Sequence, residues 1–391
     1  MLIQIHMLQN YSPANLNRDD TGSPKDAVFG DVLRGRISSQ CLKRSIRKSS
    51  AFEEAFQAEG LLGERTKLLP QIIRDELKAL GADDEAIAAI VERVHEIGRE
   101  STKKKKDDAE DNEPEDAEET EVSDTEKEIE GTAQLIFIDR KVEARPLAEK
   151  LLEVYNKVGA KKWQDTKSTK ISDITKALGE RLPRSVDIAM FGRMTTSQAF
   201  KNVQASVQVA HALSANALKQ EFDYYTAMDD LKPESEPGAD MIGDIEYNSC
   251  TYYKYLNVHW EELVKNLGGD HAIAKRAVLA LLQAATMAHP TGKQNSFGAF
   301  NLPDFVLVEV SERNLPVSYA NAFLKPVKGF GDESLLANAV AALNDYVARL
   351  SKAYNLAPQR AHIAVTESEF LGQKAQPSLD DLGKWLEAEL G

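Results

Sequence analysis

Cysteine is scarce in this chain of 391 residues: Cys41 and Cys250 are the only two, far apart and outside any C-x-x-C pattern. That excludes a disulfide framework and a cysteine-rich zinc site, and it fits a reducing compartment. No stretch approaches the roughly 20 apolar residues of a membrane span. The opening MLIQIHMLQN has neither a basic start nor a long apolar run, so it does not read as a signal peptide. The expectation is a cytoplasmic protein with no membrane partner. Motifs of catalysis are missing as well: there is no P-loop, no Ser–His–Asp arrangement and no metal-spaced histidine pair, and the seven histidines are dispersed. His6 and His211 fall on expected strands and could approach each other, but hydrogen-bonded sheet histidines are the simpler reading. No catalytic residue, metal ligand or cofactor is therefore assigned.

What is present is a contrast of charge. The formal net charge is −14. Yet Arg34, Arg36, Lys43, Arg44, Arg47 and Lys48 fall between positions 34 and 48 with no acid among them. Most of the acidic excess lies elsewhere, in residues 101–130, which are of low complexity and almost free of large apolar side chains. Such a segment cannot bury enough surface to offset ordering and is expected to be a disordered insertion. Screening over roughly 8 Å at physiological salt lets a cationic patch act independently of a remote acidic tract. Ser38 and Ser39 are good N-cap residues. Helical spacing after them puts Lys43, Arg44, Arg47 and Lys48 on one arc and Leu42, Ile46 and Ser49 on the other. A helix start adds free N–H groups and a positive dipole end. This is an arrangement for a polyanion.

Residues 2–9 alternate, with Ile3, Ile5 and Met7 opposite Gln4 and His6, as in a half-buried strand. Residues 10–33 read as a polar loop. Helical spacing occupies much of 51–184. Residues 205–214 show period two and predict one strand; 250–258 predict another. Between them, 215–248 have little apolar periodicity and read as a long loop, of the kind that is functional or disordered. A helix over 270–288, a strand over 305–310, a helix over 332–350 and an added strand over 360–366 complete the pattern. Without the insertions the order is βαββαβ, the α+β ferredoxin-like arrangement of RNA-recognition domains.

Several strings, in one order, resemble the CasC family, the repeating backbone subunit of the type I-E CRISPR Cascade complex. They include Asn17-Arg18-Asp19-Asp20, Pro24 to Gly30, Arg36 to Gln40, Leu42-Lys43-Arg44 and Ile46 to Ser49. They continue with Val186 to Ala189, Gly192-Arg193-Met194, Val209 to Ala212 and Tyr225-Thr226-Ala227. Asp229-Asp230-Leu231, Lys293-Gln294 and Ser318 to Phe323 complete the set. Residues 101–130 depart from the family. The resemblance implies a right hand: a ferredoxin-like palm from 1–50, 185–214 and 249–391, helical fingers over 51–184, and a thumb loop over 215–248.

It further implies a non-catalytic subunit of antiviral defence that polymerises head to tail on CRISPR guide RNA and presents bases to target DNA. Its partners would be other copies of itself and the large, small, handle-end and guide-processing Cascade subunits. A head-to-tail contact that does not close gives a helical filament. Arg18, Lys25, Arg36, Lys43, Arg44 and Arg47 would grip phosphates, with Ser38 and Gln40 as neutral donors, Met194 packing on a base and Lys293 as a loop contact. Tyr224, Tyr225 and Thr226 would displace a base at regular intervals. Internal ion pairs with Asp19, Asp20 or Asp26 compete for Arg18 and Lys25, and plain capping competes for Ser38. Two other readings stand: a metal-dependent ribonuclease of a related backbone class using one of those aspartates, and a generic single-strand binder without a guide.

Overall fold

The computed structural model describes residues 1–97, 132, 135–176, 182–195, 197, 199–227, 241–329, 334–366 and 369–391. The acidic segment 101–130 and the middle of the expected thumb, 228–240, lie outside them. The strands in chain order are β1 Leu2–Asn10, β2 Asp26–Phe29, β3 Val32–Ile37, β4 Glu64–Thr66, β5 Ile136–Ile138 and β6 Val207–Val209. They continue with β7 Ala212–Ser214, β8 Glu221–Ala227, β9 Met241–Tyr247, β10 Thr251–His259, β11 Phe305–Ser311 and β12 Gln359–Ala364.

The chain divides into two compact units. The first contains Met1–Phe52, Gln208–His259 and Val278–Gly391. Its sheet runs β12-β11-β1-β10-β7-β3-β2, with β6 also paired to β10. Every neighbouring pair along that path is antiparallel. Taking β1, β7, β10 and β11 as the four strands of a βαββαβ chain gives spatial order 4-1-3-2. That is the expected ferredoxin-like α+β fold, extended by β12 on one edge and by the β2–β3 hairpin on the other.

Three local expectations change. First, β1 is buried on both faces and not on one. Its polar face is sealed because Gln4 and His6 each find a partner. Tyr255 donates to Gln4 Oε1 at 2.7 Å, and His6 Nδ1 meets the Tyr253 hydroxyl at 2.8 Å. Tyr319 donates to both carboxylate oxygens of Glu309. Helix Leu335–Tyr354 covers this side with Ala339, Leu343 and Val347 packed among Leu8, Tyr253, Phe305 and Phe323. Second, the polar loop over 10–33 contains the β2–β3 hairpin. Gly30 and Asp31 both have positive φ, 60° and 61°. A two-residue turn of this hand matches the twist of its strands. Gly30 is required twice, since a Cβ there would overlap the Leu324 carbonyl oxygen. Third, the single strand expected over 205–214 is two short ones, β6 and β7, and His211 lies between them. It is exposed beside Arg36, whereas His6 is buried and stacked on Tyr319 at 4.4 Å. The two histidines thus occupy different settings.

The second unit contains Glu53–Val207 and Trp260–Ala277. The resemblance implies that 185–207 and 260–277 go with the palm. The hydrogen bonds of Asn266 to Ala189 and Gln204, and of Ser206 to Ala189, tie these pieces together within the helical unit. Helices Leu69–Ala79, Asp84–Val94 and Arg145–Val158 share a core with Trp163, Ile136 and Ile138. A bidentate pair between Arg193 and Glu143, 2.7 Å in both contacts, is buried there.

Candidate nucleic-acid interface

Helix Ser39–Arg47 forms as its sequence requires. Ser38 is the N-cap, extended in backbone, and its hydroxyl accepts from Cys41 N at 3.2 Å. Leu42 and Ile46 are buried, and Leu42 joins Tyr11, Ala14, Leu16, Ile37 and Tyr252 in a small core under the helix. The opposite face carries the cations. Arg44 and Lys48 are exposed, and Lys43 and Arg47 are half-buried. Among the described residues neither Lys43 nor Arg44 has an ion pair. Burial pulls the Lys43 pKa below the ordinary lysine value. A partly desolvated ammonium with no carboxylate beside it gains from an incoming anion.

Residues 15–25 bring more cations to the same helix start. Asn17 Oδ1 accepts the backbone N–H of Ser38 at 2.8 Å, and Lys25 N donates to Asn17 O at 2.8 Å. The Lys25 carbonyl in turn accepts from Arg36 N at 2.9 Å. Arg18 has no ion pair among the described residues. The expected competitor, Asp19, is engaged within its own loop: its Oδ1 accepts from Thr21 N, Thr21 Oγ1 and Ser23 N. Partial burial would raise the Asp19 pKa, but these hydrogen bonds outweigh it and hold the carboxyl below its usual range. Gly292 packs so closely on Asn15 and Leu16 that a Cβ would overlap the Leu16 carbonyl oxygen. Lys293, in left-handed backbone at φ 50°, stands beside this loop. The first unit therefore carries Arg18, Lys25, Arg36, Gln40 and Lys293 on the helix start and its adjoining loops, with Lys43 further along the helix and Arg44 and Arg47 in its last turn. Arg36 also donates to Asp26 O at 2.9 Å and to His211 Nδ1 at 3.3 Å. Ser38 is buried and serves as the cap, while Gln40 is exposed and accepts from Ser39 Oγ.

Arg34 does not belong with the exposed cations. It is fully buried, and its guanidinium donates to backbone carbonyls of Ser214, Ala215, Phe323 and Leu324. Counting charge along the sequence cannot separate it from Arg36, and strand alternation cannot either, since i and i+2 line the same face; only the carbonyls around Arg34 set it apart.

Tyr224, Tyr225 and Thr226 lie on β8, which pairs with β9 in a two-stranded ribbon where sequence suggested an irregular loop. Tyr224 is 66% exposed and shares a face with Phe222, 63% exposed, and with Ile242 across the ribbon. Tyr225 lies over Gly243, where a Cβ would meet its ring at 2.6 Å, and this packing holds its exposure to 37%. Phe222 and Ile242 extend the exposed apolar face around Tyr224, and no sequence signal marks them. Met194, in the second unit, is 81% exposed. It follows buried Arg193 and Gly192, whose positive φ and close approach to Val203 O and Ala205 N leave no space for a side chain.

Behind the ridge, Lys254 is buried on β10 and donates to the Tyr11 hydroxyl at 3.2 Å. Burial lowers its pKa to about 8. His289, 3.4 Å from that hydroxyl, is also lowered, first by burial and then by the Lys254 charge. Among the described residues no group of three or more His, Cys, Asp or Glu is placed to hold a metal, and no helix is long and apolar enough to cross a membrane.

Sheet order and helix placement together define an α+β ferredoxin-like fold. One solved chain titled "CRISPR RNA-guided surveillance complex, pre-nicking" is similar at TM-score 0.77 and 26% identity, with 100% of both chains covered. Another, titled "CRISPR RNA-guided surveillance complex", is similar in fold at TM-score 0.60 and 23% identity, again over 100% of both. No curated protein sequence matches. The chain belongs to the CT1975-like protein family (Cas_CT1975), which it matches over residues 3–386.

Proposed function

We propose that this protein is a non-catalytic backbone subunit of a type I-E CRISPR surveillance complex, the CasC role. Copies line up head to tail on a guide RNA. Each grips sugar–phosphate through the ridge around Ser38, and each ribbon displaces a base. The remaining bases face outward for pairing with target DNA, so sequence is read by pairing and not by the protein. The remaining Cascade subunits are its partners, in the cytoplasm.

The observation that carries this reading is the ridge itself: Arg18 on the loop bonded to the helix cap, and Lys43 and Arg44 along the capped helix, without carboxylate partners among the described residues. Family membership and the similarity to a surveillance-complex chain support it. The occupation of Asp19 Oδ1 by its own loop favours a holder over a nuclease.

The test is co-expression with the neighbouring genes followed by purification and chemical probing. The expected result is one defined RNA carrying distorted nucleotides at a fixed repeat. Recovery of heterogeneous nucleic acid without a repeat, or EDTA-sensitive cutting of paired RNA by the assembled complex, would reject it.

A further inference from the structure

The ribbon β8–β9 leaves the sheet after Ser214 and returns at Asn248, and each root rests on a buried polar side chain. Beneath the first root is Arg34. It has no ion pair among the described residues, and its hydrogen bonds go to carbonyls: Ser214 at 3.0 Å, Ala215 at 2.9 Å, Phe323 at 2.8 Å and Leu324 at 3.1 Å. Burying an unpaired guanidinium is costly, and it persists only when the surrounding acceptors are held in place for it. The next residues repeat the attachment: Gly35 N donates to Ser214 Oγ, and Leu33 O accepts from Leu218 N. Beneath the second root is Asn15, fully buried, whose amide donates to Gly22 O and Glu246 O at 3.0 Å each. Ala14 bridges Asn248 beside it.

The geometry points to Arg34 and Asn15 as the mount that aims the ribbon: positioning residues that act through β8 and β9 and touch no RNA. Arg34 heads the cationic run, yet it supplies none of the phosphate grip. The purpose of the mount rests on the RNA-holding function proposed above; its mechanics do not.

The experiment compares the full-length protein with Arg34→Gln, Arg34→Lys, Asn15→Ala and Lys43→Ala. Hydrogen exchange is measured first, without RNA. Asn15→Ala and the Arg34 variants are expected to speed exchange in 221–227 and 241–247 by about tenfold or more, while β1 and β10 stay protected. Arg34→Lys keeps the buried charge and guards against loss of fold in Arg34→Gln. RNA binding is measured next. Arg34→Gln should leave the log–log salt slope unchanged, whereas Lys43→Ala lowers it by about 0.7. Probing of bound RNA should show the repeat of displaced bases blurred in the mount variants only. Unchanged ribbon exchange, exchange that rises equally in β1 and β10, or a salt slope that falls in Arg34→Gln would each overturn the proposal. A wild type that binds no RNA would instead sink the RNA-holding reading, and the exchange comparison would still decide the mount.

Discussion

Asn17 and Ser38 are joined by a hydrogen bond of 2.8 Å, from the serine N–H to the asparagine side-chain oxygen. One of the orphan donors at the helix start is thereby satisfied by the very loop that carries Arg18 and Lys25. Loop and helix are thereby joined, and the proposed grip draws on the cations of both.

Lys43→Ala and Arg44→Ala test that surface directly. Each is expected to lower the slope of log affinity against log salt by about 0.7, and to weaken all RNA sequences alike. Binding titrations at several salt concentrations with unrelated oligonucleotides check this. A loss confined to some sequences would mean base readout and contradict a backbone grip.

Tyr224→Ala tests the ribbon. Exposed on a two-stranded element, Tyr224 contributes little to stability, so the unfolding midpoint should barely move. Affinity for single-stranded RNA should fall by about 1–3 kcal/mol if its ring stacks on a base. A thermal scan and a binding isotherm on the same preparation separate the two effects. A stability loss with unchanged affinity would make the ring a structural pin.

Glu309 sets an acid limit. Burial alone would raise its carboxyl, but the His6 imidazole 3.4 Å away and the Arg360 guanidinium at 2.5 Å carry it down to about 2. With the folded value below the unfolded one, this stabilisation is present above pH 4.5 and fades as pH falls toward 2. It amounts to about 3 kcal/mol. Glu309→Gln should lose about that much at pH 7 and show a flatter acid limb in urea titrations between pH 4.5 and 2. An acid limb identical to that of the wild type would refute the assignment.

Lys254 acts at the opposite end of the scale. Its folded value of about 8 lies below the ordinary 10.5. Between these values the unfolded chain holds the proton that the folded chain has released, so stability should rise with pH across this window. The rise is about 3 kcal/mol. Lys254→Met should be more stable than the wild type at pH 7 and lack the rise. Denaturant midpoints at pH 7 and 9.5 measure it; parallel shifts at both would show that the charge is not responsible.

Much of the palm is legible in the sequence because its strands are long or strictly patterned. β1, β10 and β11 are apolar enough to declare themselves, and the helix after Ser38 has its cap, its buried Leu42 and Ile46 and its cationic arc in view. The β2–β3 hairpin is not, because its strands are short and partly exposed and its Gly30-Asp31 turn reads as one more loop signal. Nor is the ribbon: with Phe222, Tyr224 and Ile242 facing solvent, it lacks the apolar alternation that burial imposes. Arg34 shows a further boundary. Charge is written in the sequence, but whether a carbonyl cage surrounds it depends on residues 180 and 290 positions away.

The sealed middle of the sheet has a practical corollary. With β1 and β10 packed on both sides, a mutational survey scored for RNA retention should trace a rim. Its signal would follow residues 15–25, the first helix and the turn near Lys293, while the centre stays silent unless the fold itself gives way.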